Sequence, residues 1–377
     1  MHGLPTGLKG LIFVAGLTLR VLASPAEHRG SACAPIPGAR DPVAPTFQLH
    51  GLNFSPYQAG QDPARDTVIG EAQLAARLRL VQPHTRWIRT YGSTQGLQPS
   101  GRIVRSLGLK TAIGAWLSAD RAANAREITH LIAAIKAGDA DLAIVGSEVL
   151  LRRDLGEAEL IAYIEQVRRA SGGAPVAYAD VHGVWLAYPE VGAAVDVVLA
   201  NYYPYWEGVP VERAVAALDD WHRQVTAAVG KPVGVGETGW PSGGDPVGAA
   251  VPSAENASRY LRDFLAWARA NRVQYLYFAA FDEDWKAARE GPQGAHWGLW
   301  DQQERLKPGL AAVLVEATRV GDIPGGESPD PDGRPRIEFT AVPPYGGFRD
   351  LEMRPCRLYW KKRRWLVSRS DVNNYYH

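Results

Sequence analysis

Residues 233–240 read VGVGETGW, a short run of valine and glycine that ends on a carboxylate, Glu237, and runs on into Thr238-Gly239-Trp240. Valine favours extended backbone, and a run this continuously apolar suits a parallel strand buried on both faces. Residues 142–148 (LAIVGSE) have the same form: aliphatic positions, a glycine, then Ser147 and Glu148. Whether these are two units of a larger repeating pattern decides the fold.

They are. Similar runs lie at 49–55 (LHGLNFS), 87–91 (WIRTY), 111–117 (TAIGAWL), 176–181 (VAYADV), 195–203 (VDVVLANYY) and 275–282 (YLYFAAFD), which makes eight in all. Between them, 66–80, 126–136 and 157–170 carry helical periodicity, the first with Val68, Leu74 and Leu78 on one face. Strands alternating with helices predict an α/β fold with a parallel sheet, and eight units predict closure into a (β/α)8 TIM barrel. The first run is followed by no glycine-rich dinucleotide fingerprint, so an open Rossmann sheet loses its main support.

The remaining sequence sets the expected boundaries. Residues 1–24 have the order of a signal peptide, with Lys9, an apolar stretch at 11–19 and small residues at Ala23 and Ser24. That predicts a secreted, periplasmic or cell-envelope location, and the stretch is too short for stable membrane insertion. Residues 25–45 read as a linker, 46–320 as the catalytic barrel with a last helix from 308 to 320, and 321–335 (GDIPGGESPDPDGRP) as a second linker. Residues 336–377 form a short tail that resembles an incomplete β module. The tail holds a basic cluster, Lys361-Lys362-Arg363-Arg364, but the formal net charge is only +1, and no nucleic-acid partner is expected. The two cysteines, Cys33 and Cys356, make no disulfide framework and have no metal-ligand spacing. The histidines are scattered, and no phosphate loop or nucleophile elbow occurs, so neither metal nor cofactor is expected.

In a barrel of this kind the site lies at the carboxyl ends of the strands. The fourth and seventh runs end in Glu148 and Glu237, which would face each other across the mouth. Paired carboxylates suit glycosidic bond cleavage, one as acid and the other as nucleophile; retention needs them roughly 5–5.5 Å apart. Trp206, Trp240, Trp285, Trp297 and Trp300 all fall at strand exits, and at least two of them are expected to line a sugar-binding cleft.

Glu237-Thr238-Gly239-Trp240-Pro241-Ser242 resembles the nucleophile motif of glycoside hydrolase family 17, the β-1,3-glucanases and β-1,3-glucan transglucosylases. The resemblance extends over Gly51–Tyr57 (GLNFSPY, in the form of bacterial-type members), Ile88–Tyr91, Asn201–Tyr205, Phe281–Lys286 and His296–Leu299. It implies Glu237 as nucleophile and Glu148 as acid/base. Tyr57, Arg89, Tyr91, Ser147, Asn201, Tyr203, Trp206, Trp240, Glu283, Trp285 and Lys286 would surround the sugar. Tyr203 and Lys286 are expected to keep Glu237 ionised, with Glu283 in the same charged network. The family usually has Asn before its acid/base; here Ser147 stands there, too short to reach the sugar 2-hydroxyl without a water. The expected partner is a β-glucan polysaccharide or oligosaccharide bound by a monomer. The implied activity is hydrolysis of β-1,3-glucan with retention. Transfer of the glycosyl group to another sugar is the alternative, and a non-catalytic glycan-binding barrel is the remaining one.

Overall fold

The computed structural model describes residues 47–319. Seven parallel strands follow one another in sequence order: β1 (Leu49–Asn53), β2 (Thr85–Arg89), β3 (Lys110–Ala115), β4 (Leu142–Ser147), β5 (Val176–Val181), β6 (Val197–Asn201) and β7 (Val233–Glu237). The eighth run closes the ring. On one side Leu276 N donates to Val235 O and Val235 N to Gln274 O; on the other Tyr277 N donates to Gly51 O and Asn53 N to Tyr277 O. The barrel predicted from eight runs is therefore formed, with its last member joined to both neighbours by bridges rather than by a long ladder.

The helices are α1 (Glu71–Val81), α2 (Ser100–Ser106), α3 (Arg121–Lys136), α4 (Glu157–Ala170) and α5 (His182–Ala187). They continue with α6 (Pro189–Ala194), α7 (Val211–Val229), α8 (Ala254–Asn271), α9 (Ala287–Glu290) and α10 (Pro308–Arg319). The segment read as 157–170 is α4 itself, but two of its counterparts shift. α1 starts only at Glu71, and Val68 lies ahead of it, 70% exposed, because Ile69 N donates to Gln95 O and Ile69 takes the buried place instead. α3 starts earlier than expected, since the Asp120 carboxylate caps it by accepting from Ala122 N and Ala123 N.

Two apolar layers hold the barrel. Trp87, Leu142, Ile144, Val197, Leu199 and Leu276, with small Ala112, Ala177 and Ala179, fill the inside as a separate cluster. Their neighbours one residue along, such as Ile88, Val145 and Val198, belong to the larger layer with the helices. This alternation would aim the last residues of β4 and β7 the wrong way. Both strands correct it with a register shift: between Ile144 and Ser147 against β5, and between Ala200 and Asn201 against β7. Ser147 then pairs with Ala179 and Glu237 with Asn201, so both join the inner row. Where the two ends of the described barrel meet, Phe47 N donates to Thr318 Oγ1 at 2.7 Å.

The expected signal peptide, the linker at 25–45, the linker at 321–335, the tail at 336–377, Cys33 and Cys356 lie outside the described residues.

Candidate active site

Glu237 at the end of β7 is 5% exposed and has three partners. Arg89 Nη1 from β2 lies 3.0 Å from Oε1, Ser147 Oγ from β4 donates to the same oxygen at 3.3 Å, and Tyr203 OH donates to Oε2 at 2.6 Å. Arg89 is itself buried and over-determined. Its Nη1 also donates to Gly236 O at 2.9 Å, its Nη2 to Ser147 Oγ at 3.0 Å, and its plane lies over the Tyr91 ring at 4.8 Å. Asn53 Nδ2 adds a second bond to Gly236 O, 3.0 Å. The carbonyl just before the nucleophile candidate is thus tied to β1 and β2 together. A guanidinium and a phenol thus converge on one carboxylate.

Glu148 sits differently. Gly146 (φ 87) and Glu148 (φ 54) both adopt left-handed backbone as β4 breaks off, which turns the side chain into the mouth. A non-glycine residue in that region is uncommon and belongs to strained functional positions. The carboxyl is 7% exposed and accepts from Asn201 Nδ2 at 2.8 Å. Burial pushes its pKa up to about 8, with the charges of Glu237 and Asp180 adding to the rise; the Asn201 bond and Arg152 oppose it. Burial thus favours its protonated form, the one with a proton to give.

Beside Glu237 stands a second charged group. Glu283 accepts from Ser55 Oγ, from Trp285 Nε1 at 2.9 Å and from Lys286 Nζ at 2.8 Å. Burial alone would lower the Lys286 pKa, but Glu283, Glu290 and Glu237 outweigh it and raise it. The expectation that Lys286 is the cation on Glu237 is therefore corrected: Arg89 makes the contact, and Lys286 pairs with Glu283 over the Phe278 ring.

The other expected residues divide. Tyr57 is buried on the β1 side with its hydroxyl 3.4 Å from Gln95 Oε1. Tyr91 is half-buried, and its hydroxyl has no hydrogen-bond partner among the described residues. Its pKa rises through burial and the charge of Glu237, so that hydroxyl is near the site and unused. Asn201 serves Glu148 and Ser147 serves Arg89 and Glu237, so both are engaged with protein rather than turned to solvent. Trp206 and Trp285 are half-buried at the mouth. Trp240, Trp297 and Trp300 are instead wall residues, 2%, 3% and 4% exposed. Trp240 donates from Nε1 to Val251 O at 3.0 Å and stands edge-on to Tyr205, so the expectation that it stacks on a sugar is corrected. The cause is local: a Cβ at Gly239 would come 2.1 Å from Phe278 O, and backbone packed that closely on the eighth run folds the next side chain into the wall.

Sequence reading missed Asp180 and Arg152. Asp180, the last residue but one of β5, is fully buried and accepts from Tyr178 OH and from Val181 N at 2.8 Å. It stands one residue short of the end of its run, so asking what each run ends in, which located Glu148 and Glu237, passes over it. Arg152 donates to Ser147 O at 2.5 Å from a turn after β4, where no periodicity marks it.

A barrel mouth with one glutamate kept protonated by burial, and another held by an arginine and a tyrosine, defines a glycoside hydrolase of the two-carboxylate kind. The chain belongs to glycoside hydrolase family 17, and its residues 51–298 match the BtgE/BtgC glycoside hydrolase domain. A β-1,3-glucanosyltransferase of that family from Rhizomucor miehei is 30% identical with a TM-score of 0.62, covering 70% of this chain and 96% of its own. A glucan 1,3-beta-glucosidase from Saccharomyces cerevisiae is 29% identical over 289 residues, 70% of this chain and 92% of the yeast protein. A probable glucan endo-1,3-beta-glucosidase, btgC, from Aspergillus fumigatus is 31% identical over 232 residues. The match spans only 33% of that longer protein. Among the described residues no helix is long and apolar enough to cross a membrane.

Proposed function

We propose that this chain cleaves β-1,3-linked glucan with retention of anomeric configuration, Glu148 acting as acid/base and Glu237 as nucleophile. The observation that carries this reading is the opposite setting of the two carboxyls. Glu148 is buried, which favours its protonated form, and faces Asn201, while Glu237 is paired with Arg89 and Tyr203. Glu148 gives its proton to the glycosidic oxygen as that bond breaks, and Glu237 Oε attacks the anomeric carbon to form a glycosyl ester. Glu148, now charged, takes a proton from the incoming acceptor, whose oxygen displaces Glu237 and regenerates it. Tyr57, Tyr91, Trp206 and Trp285 are the proposed sugar contacts.

The substrate class rests on the relatives, which are named for β-1,3-glucan at about 30% identity. Transfer to a second sugar is the second reading, favoured by the Rhizomucor miehei glucanosyltransferase, which this chain covers almost end to end. The leader-like first 24 residues agree with an exported enzyme that meets its glucan outside the cell. The decisive test is a time course of products from a soluble β-1,3-glucan, with wild type and Glu237→Gln side by side. Shorter oligosaccharides from wild type alone are expected. Longer products from wild type alone would establish transfer with the same residues, and no change in either sample would overturn the assignment.

A further inference from the structure

We propose that Trp116 is a stacking platform for a glucosyl ring away from the cleavage point, a subsite outside the cluster around Glu148 and Glu237. This rests on the β-glucan reading above. Trp116 follows β3 directly, so it stands at the same carboxyl-terminal rim as the catalytic pair. It is 41% exposed, and no other aromatic ring of the described residues is exposed to that degree.

The ring is nevertheless fixed from two directions. The Arg152 guanidinium covers one face at 4.2 Å. Arg152 is in turn pinned by Ser147 O at 2.5 Å, Leu117 O at 2.9 Å and the Asp154 carboxylate at 2.8 Å. The Trp116 backbone is held by Glu127, a buried carboxylate on α3 that accepts Trp116 N at 3.0 Å. Glu127 also accepts Ser93 N at 2.8 Å and the Ser93 and Thr94 hydroxyls, which ties the exits of β2 and β3 together. A large apolar ring kept in water has lost the burial that normally justifies a tryptophan, and orienting it costs conformational freedom as well. A flat face backed by a cation and left open on its other side is what the apolar face of a sugar ring needs. The connection to the chemistry is short: Arg152 also holds the carbonyl preceding Glu148, and its charge acts on that carboxyl.

The test compares Trp116→Ala and Trp116→Tyr with wild type on β-1,3-gluco-oligosaccharides of increasing length, with melting curves to confirm folding. Trp116→Ala is expected to lose about tenfold in kcat/KM on chains long enough to reach the ring. Its kcat/KM on the shortest substrate that wild type cleaves should be unchanged, and Trp116→Tyr should keep most of the long-chain rate. An equal loss at every length, or none at any, overturns the platform. If wild type cleaves none of them, the proposed function fails on its own, and the platform is read by calorimetric titration with the longest oligosaccharide. Weaker binding by Trp116→Ala then supports it, and affinity equal to wild type, or none in either, overturns it.

Discussion

At the scale of single residues the two carboxyls have different partners, Asn201 on Glu148 and Arg89, Tyr203 and Ser147 on Glu237. Asn201 donates to Glu148, and a donor to a carboxylate favours the charged form, so this bond holds the Glu148 pKa below what burial alone would give. Asn201→Ala should therefore move the basic limb of kcat/KM upward from about 8, because the proton is lost at higher pH. A pH–rate profile decides this: a limb that stays put or falls would contradict the assigned contact. Ser147 answers a different need from the asparagine its family usually has there. Its hydroxyl bridges Arg89 and Glu237, so it is tied to protein groups on both sides. The sequence alone reveals that a serine stands in an unusual place. It cannot reveal the bridge, because Arg89 and Glu237 come from strands far from it along the chain.

At the scale of strands the two register shifts bring the chemistry to the right face. Gly236 lets this happen on β7. A Cβ there would lie 2.6 Å from Asn201 Oδ1 and 3.0 Å from Leu199 Cβ, against the side chain that holds Glu148. Gly236→Ala should destabilise the fold by ~1–3 kcal/mol, as overpacking does. It should also lower kcat by displacing Asn201; an unchanged kcat beside a reduced melting temperature would show that Asn201 keeps its place. Much of this scale is legible beforehand. The apolar runs mark every strand, 157–170 is α4 residue for residue, and run ends locate Glu148 and Glu237. The shifts are not legible, because an offset belongs to a pair of strands and leaves no mark in either one. Trp240 shows the same limit: being at a strand exit does not say whether the chain there turns outward or packs on its neighbour. Val68 fails for a nearer reason, since a single backbone bond from Ile69 to Gln95 keeps that stretch from joining the helix.

For the molecule as a whole, the protonated Glu148 links stability to pH. Its pKa is raised in the folded state, so its favourable share is complete below the ordinary carboxyl value of about 4.5 and is lost as pH rises toward about 8. Glu148→Gln has no proton to lose there. The melting temperature of that variant should exceed that of wild type by a margin that grows from pH 5 to pH 8. A constant margin would mean that the carboxyl is not kept neutral. Closure of the ring has a consequence of another kind. Phe47 and Thr318 meet at one hydrogen bond, beside a run that is bridged to β1 and β7 on either side. With its two ends in contact, the barrel can be spliced there by a short linker and cut open at a surface turn such as Gly172-Gly173, between α4 and β5. Chain order and spatial order thus become separable, and a permuted chain would begin and end on the face of the barrel opposite Glu148 and Glu237.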